Sequence, residues 1–204
     1  YPDNFAFGGD AVMTESYDPE GARQVLEEAG WTDADGDGVR EKDGTSLVLR
    51  WLTYPSRQEL PPLAQSAQAT LGEIGFRVEI ISTADHNRVR NDSSAWDIYA
   101  SAMVTAPTGD PEYFFAYHCL DDSSNNDGHY HSDRLEELAR ELSVEFDTER
   151  REKLAVEMQQ IILDDNAYVF CSYLRMSMIT KANVTGVTAH PCDYYEITAD
   201  LNVE

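Results

Sequence analysis

The chain has 204 residues, 42% of them hydrophobic, enough to bury a sizeable core, and a formal net charge of −23. Asp and Glu number 38 against 15 Lys and Arg, and such a surface repels phosphate backbones and anionic lipid, which disfavours nucleic-acid and peripheral membrane binding. No apolar run approaches the ~20 residues that cross a bilayer, and the opening YPDNFAFGG reads as the interior of a protein, so any export signal is expected upstream.

The first element is a helix with every terminal signal in place. Asp18 suits the N-cap, Pro19 the first helical position, and Glu20 the positive end of the dipole. Ala22, Val25, Leu26 and Ala29 form one apolar stripe, and Gly30 ends the helix. An acidic, glycine-punctuated loop follows. Asp33, Asp35, Asp37, Gly38, Val39, Glu41 and Asp43 fall at positions one, three, five, six, seven, nine and eleven of a calcium loop. Gly44 stands at position twelve, where such a loop carries a bidentate Glu, and the residues after it look extended rather than helical. Two readings stay open: a structural calcium site of the form helix, loop, strand, or a solvated acidic turn whose glycines supply positive φ.

Residues 47–55 (LVLRWLTYP) read as a strand from their branched and aromatic content. A helix over 61–75 carries Leu63, Ala67, Leu71 and Ile74 on one face, and 76–82 (FRVEIIS) is a second strand. Residues 84–92 are polar, a short helix or loop, and 96–104 (WDIYASAMV) form a third strand. This rhythm implies right-handed crossovers and a mixed, largely parallel α/β sheet flanked by helices. A short helix is expected over 111–119 and a polar loop over 121–133. Two amphipathic helices follow. The first, 133–146, presents Leu135, Leu138 and Leu142; the second, 148–163, is capped by Asp147 and presents Leu154, Met158, Ile161 and Ile162. Residues 168–179 predict a strand pair broken near 174–176. Without repeats or a low-complexity linker, residues 1–204 read as a single domain.

Three further groups of residues carry chemistry. The loop Thr105, Ala106, Pro107, Thr108, Gly109, Asp110 follows a buried strand, and ligands of α/β sheets collect at the carboxyl ends of strands. Asp110 reads as ligand contact or as the cap of the next helix. His118, His129 and His131 read as a transition-metal cluster or as surface histidines of a polar loop. Tyr113, Phe114, Phe115 and Tyr117 have core spacing, with Tyr113 the one expected to touch ligand. Cys171 lies in the apolar run YVFCSYL, and Cys119 and Cys192 are free to pair in an oxidising compartment.

Taken in order, YDPEGARQVLEEAGWTDADGDGV, TAPTGDPEYFF, SSNNDGHYHSDRLEELARE and DDNAYVFCSYLRM resemble the C-terminal lobe of the family 5 extracellular solute-binding proteins of peptide, nickel and related ABC importers. The resemblance covers nearly the whole chain. It implies one lobe of a type II periplasmic-binding-protein-like architecture, with the N-terminal lobe that forms the other cleft wall lying outside this sequence. It also implies extracytoplasmic, periplasmic or lipoprotein localisation and capture of a peptide or a nickel chelate rather than catalysis. Expected partners are the solute, the permease subunits and the protein's own N-terminal lobe; no cofactor is required, a structural calcium ion in the acidic loop being one of the two readings left open above. The resemblance directs Thr105, Pro107, Thr108, Gly109, Asp110 and Tyr113 toward the solute. Peptide-binding branches place an Asp for the peptide ammonium where this chain has Pro107, a form similar to nickel-binding members. Tyr194 and Tyr195 are expected near the return to the missing lobe, beside an exposed apolar patch. The rival readings are a metal-dependent hydrolase, which would need the acidic loop and the distant histidines brought together, and a calcium-dependent adhesion module, which would need the acidic loop repeated.

Overall fold

A computed structural model describes residues 1–174, 177–189 and 197–203. The sequence reads as one domain, whereas the contacts group it into two compact units: Glu15–Met103, and Tyr1–Thr14 with Val104–Glu204.

The unit Glu15–Met103 contains α1 (Pro19–Glu28), a hairpin of β1 (Glu41–Lys42) and β2 (Thr45–Ser46), β3 (Val48–Thr53), α2 (Leu60–Gly72), β4 (Arg77–Ser82), α3 (His86–Arg90) and β5 (Ile98–Tyr99). Three parallel strands run in the order β4-β3-β5. Trp51, Tyr54, Leu60, Ala64, Val78 and Ala100 form the core, and the stripe expected on α2 (Leu63, Ala67, Leu71) packs against it. Leu49, Phe76 and Ile80 complete that packing. The third strand is much shorter than the expected 96–104. Pairing with β3 lasts only until the Ala100 amide reaches Leu52 O, at 2.9 Å; beyond it the Ala102 amide bonds the Tyr54 hydroxyl, at 3.3 Å. Entry to β5 is fixed by Arg50, whose guanidinium grips both oxygens of Asp97, at 2.7 and 2.9 Å, and holds that carboxyl below its usual pKa.

Both long helices here close by one motif. At α1, Gly30 (φ +85°) lets the Trp31 amide return to Leu26 O, at 2.9 Å; at α2, Gly75 (φ +98°) lets the Phe76 amide return to Leu71 O, at 3.1 Å. Arg40 joins the two ends. Its Nη1 donates to Trp31 O (2.8 Å), its Nε to Ile74 O (2.9 Å), and its Nη2 to Glu27 Oε1 (3.2 Å). Its own amide donates to Gly75 O, at 2.9 Å. α1 needs this anchor because none of its residues is buried, and Val25 of the expected stripe is 64% exposed.

In the other unit, α4 (Glu112–Phe114) runs into a π-helical turn (Phe115–Cys119), followed by α5 (Asp133–Leu142), α6 (Thr148–Asp164) and a ladder of β6 (Val184–Thr185) with β7 (Asn202–Val203). Phe7, Phe114, Phe115, Cys119, Leu135, Leu138, Leu142, Leu154, Ala155, Met158 and Ile162 form its core. α5 stops four residues before the expected end, and Phe146 is 90% exposed, because Glu145 Oε1 takes the amides of Phe146 and Asp147. Two adjacent glutamines of α6 hold the segment Tyr1–Thr14. Gln159 Nε2 donates to Phe7 O (2.6 Å), and Gln160 forms a two-bond pair with the backbone of Met13 (2.8 and 3.2 Å). The strand pair expected over 168–179 is absent among the described residues, which carry no ladder there; Arg175 and Met176 lie outside the description. That stretch is fixed by side chains instead. Tyr168 donates to His118 O (2.6 Å) and Phe170 packs its ring on Phe114. Cys119 is buried, with its thiol pushed up to about 12 by burial, while Cys192, Tyr194 and Tyr195 lie outside the described residues.

Because a guanidinium satisfying two otherwise orphaned carbonyls is nearly buried here (side chain 11% exposed), Arg40→Met is expected to destabilise the unit 15–103 by about 2–3 kcal/mol. Arg23→Met, which removes only exposed contacts, a bond to Glu73 O and an ion pair with Glu20, is expected to cost less than about 1 kcal/mol. Urea unfolding followed by tryptophan fluorescence checks both, since Trp31, Trp51 and Trp96 all lie in that unit.

Candidate functional site

The order β4-β3-β5 creates a switch point. The chain leaves β3 toward β4 on one side and returns to β5 on the other, so the carboxyl ends of β3 and β5 mark the position at which open parallel sheets bind ligands. The residues there are aromatic and polar. Tyr54 directly follows β3, Tyr99 ends β5, and His86 opens α3. The His86 ring stacks on Tyr54 with centroids 3.9 Å apart and planes 18° apart, and its Nδ1 lies 3.0 Å from the Tyr99 hydroxyl. Trp96 packs against Tyr99 at 5.9 Å, and Ser101 Oγ lies 3.5 Å from the Tyr54 hydroxyl. Sequence reasoning missed this cluster because both tyrosines read as ordinary strand residues and His86 as part of a polar connector. The available signal was an aromatic residue at the end of each flanking strand.

The loop expected to bind solute belongs to the other unit. Since β5 ends at Tyr99, Thr105, Pro107, Thr108, Gly109, Asp110 and Tyr113 all fall within the unit that begins at Val104. Pro107 and Thr108 occupy the centre of a turn closed by the Gly109 amide on Ala106 O, at 3.1 Å, with Gly109 at φ +82°. Thr108 and Gly109 are exposed, Thr105 and Pro107 half-buried. Asp110 has structural work on both oxygens. Arg151 Nη2 reaches each at 2.8 Å, and Oδ1 accepts the Glu112 amide at 2.8 Å, the capping alternative read from sequence. Arg151 also ties Leu142 O and Glu145 O, so this ion pair fixes the α5–α6 corner. Tyr113 is 37% exposed and stacks on Tyr117, with centroids 5.2 Å apart.

The acidic loop brings four carboxylates together. Asp33, Asp35, Asp37 and Glu41 each offer an oxygen within 4.8 Å of the others. Their other contacts order the loop: Asp33 takes the amides of Gly36 (2.7 Å) and Gly38 (3.1 Å), Asp37 that of Val39 (2.8 Å), and Glu41 that of Ala34 (3.1 Å). Asp43 lies outside this group. With φ of 52° and 79°, Asp43 and Gly44 form the two-residue turn between the paired Lys42 and Thr45. That turn explains the glycine at position twelve: the chain reverses where a calcium hand would supply its last ligand. The histidines do not converge. His118 is buried in the core, His129 is exposed, and His131 is held by Asp121 (2.8 Å) and Asp133 (3.4 Å). Among the described residues the acidic loop is the one group of three or more His, Cys, Asp or Glu side chains close enough to share an ion.

Residues 1–126 match the family described as bacterial extracellular solute-binding proteins, family 5 Middle. The chain belongs to that family. The family 5 relatives include the nickel-binding protein NikA of Staphylococcus aureus, 24% identical over 92% of this chain, and the oligopeptide-binding protein AppA of Bacillus subtilis, 26% identical over 89%. This chain spans 38% and 34% of their lengths. The crystal structure of a nickel ABC transporter from Bacillus halodurans superposes with a TM-score of 0.69 at 28% identity, over 82% of this chain and 34% of that one. The α/β architecture with its parallel sheet is thus that of part of a periplasmic binding protein. No helix among the described residues is long and apolar enough to cross a membrane.

In this family 5 chain the two best-placed histidines titrate in opposite senses. Burial lowers the His118 pKa and leaves its Nδ1 without a partner, whereas the Asp121 carboxylate raises that of His131. For His118 the unfolded chain takes up the proton first, so its contribution is present above the ordinary histidine pKa and is lost as pH falls through the lowered folded value. For His131 the contribution is present in acid and is lost as pH rises through the raised value. Melting curves across pH 5 to 8 are expected to show His118→Gln flattening the acid decline and His131→Gln removing only the alkaline one. Identical pH profiles for the two variants would contradict these assignments.

Proposed function

We propose that this chain forms part of an extracytoplasmic receptor that captures a small solute, a peptide or a metal chelate, and presents it to the permease of an ABC importer. The match of residues 1–126 to the family 5 solute-binding proteins carries the reading. Relatives named for nickel and for oligopeptides bracket the solute class. The mechanism is capture: a solute bridges this part and the remainder of a longer receptor, which hinge shut, and the closed form is what the permease receives. The loop 105–110 contributes to the solute wall with Pro107 where peptide-binding members carry a charge. Asp110 supplies no substitute ammonium receptor, because Arg151 and the Glu112 amide already occupy its oxygens. A charge-assisted contact of this kind is worth about 1.5–3 kcal/mol, so a full-length receptor is expected to bind a peptide and its N-acetylated form with near-equal affinity. A hundredfold preference for the free amine in calorimetry would overturn the role given to Pro107.

We also propose that the loop of Asp33, Asp35, Asp37 and Glu41 takes a calcium ion as a structural element rather than a catalytic one. The four grouped carboxylates support it: an oxygen that accepts one amide retains a lone pair for a hard cation, while Arg77 on Asp37 (3.2 Å) competes in part. Calcium at 100 times its dissociation constant is expected to add about 2.7 kcal/mol to the unit 15–103. An unchanged melting curve between chelator and millimolar calcium would reject this.

A further inference from the structure

The hairpin of β1 and β2 closes on a pair of groups able to react with each other. In an Asp-Gly step the glycine nitrogen can attack the side-chain carbonyl carbon of the aspartate before it. The two are covalent neighbours, and glycine has no Cβ to hinder the approach. The chain has four such steps: Asp35-Gly36, Asp37-Gly38, Asp43-Gly44 and Asp127-Gly128. The fold treats them differently. The amides of Gly36 and Gly38 both donate to Asp33, at 2.7 and 3.1 Å. The carboxylates of Asp35 and Asp37 in turn accept the amides of Asp37 (3.1 Å) and Val39 (2.8 Å). At these two steps nucleophile and electrophile are both engaged. Asp127 is half-buried, in a loop clamped by the buried Asn126, which accepts the Tyr130 amide at 3.0 Å and donates to Tyr130 O at 2.7 Å. Asp43 and Gly44 escape such restraint. Both are exposed, and among the described residues neither the Asp43 carboxylate nor the Gly44 amide has a hydrogen-bond partner. The turn also holds Asp43 at φ +52°, a left-handed conformation that is costly for an L-residue.

We propose that Asp43 is a site of spontaneous isoaspartate formation, and that Asp33 shields the two neighbouring Asp-Gly steps from the same reaction. The Asp43 carboxyl, protonated by solvent, gives up its hydroxyl and the Gly44 nitrogen its proton, together one water, as the bond from nitrogen to Cγ closes a succinimide. Water then opens the ring at either carbonyl. Opening at the main-chain carbonyl leaves the backbone running through Cβ and Cγ, one atom longer than before. The net change is an isomerisation, needing no oxidant, reductant or enzyme. It falls where the chain tolerates it least, since the hairpin has only two residue pairs, Glu41 with Ser46 and Lys42 with Thr45. A longer turn unpairs them and loosens Glu41, which accepts the Ala34 amide at 3.1 Å and so closes the acidic loop. The proposal does not depend on that loop holding an ion.

The test uses the 204-residue chain, incubated in warm neutral buffer with chelator. Isoaspartate is located by tandem mass spectrometry of its peptides and by labelling with an isoaspartyl methyltransferase. The folded chain is expected to accumulate it at Asp43 about tenfold faster than at Asp35 or Asp37, because a held amide must give up a hydrogen bond before it can attack. Asp127 is also expected to lag behind Asp43. In urea, where these contacts are lost, the four steps are expected to react at comparable rates. Asp33→Ala, shown to be folded by tryptophan fluorescence, is expected to raise the rates at Asp35 and Asp37 by about tenfold while Asp43 is unmoved. Asp43→Glu is expected to remove the dominant product and leave the other three steps as they were. Equal rates at all four steps of the folded chain, or a dominant product at Asp127, would overturn the choice of Asp43. Rates at Asp35 and Asp37 unchanged in folded Asp33→Ala would overturn the shielding by Asp33. If Asp33→Ala does not fold, the ratio of Asp43 to Asp35 in the folded chain against that in urea decides both, and an unchanged ratio rejects them.

Discussion

The unit 15–103 depends on one side chain meeting two helix ends. The chain that follows a helix end must still satisfy its carbonyls, and Trp31 O after α1 and Ile74 O after α2 lie within reach of a single guanidinium, that of Arg40. Its planar fork donates in several directions at once, which an ammonium on a flexible stem does less well. Through it the surface helix α1, which buries nothing, is tied to a helix that does, and the acidic loop between α1 and β1 is anchored at its exit. Gly75 is part of the same device. A Cβ there would lie 2.5 Å from Arg40 Cγ, so the close approach of strand entry and helix end needs glycine for space as well as for its positive φ.

The other unit solves a similar problem with amides and an ion pair. Gln159 and Gln160 bind a segment 152 and 147 positions away in sequence, using side-chain amides as stand-ins for a strand neighbour. Arg151 gathers Asp110, Glu112, Leu142 O and Glu145 O, which makes Asp110 a corner post of this unit. In both units arginine does the joining, in a chain with only three lysines, Lys42, Lys153 and Lys181.

Local signals made much of this legible. The caps of α1 and α6, Asp18 and Asp147, accept the amides of Gly21 and Arg150 as their sequence context requires. The leucines of α5 read directly as core, because helical periodicity and burial coincide there. The acidic loop was legible as a group of carboxylates but not in its membership. Asp43 and Gly44 obey the stronger rule that Asp-Gly between two extended residues makes a hairpin turn.

The order of motifs along the chain determined the family, the parallel α/β rhythm and the starts of α1, α5 and α6, since these rest on interactions between residues a few positions apart or on patterns carried by the chain itself. Tertiary structure alone decided which polar residues are tied into the fold and where. Asp110 is bound by an arginine 41 positions later, β5 ends where the Tyr54 hydroxyl takes the Ala102 amide, and the His86 ring meets the hydroxyl of Tyr99 at the end of β5. Each depends on a distance between elements that no local propensity encodes, so these contacts become visible only once the elements that carry them have been brought together.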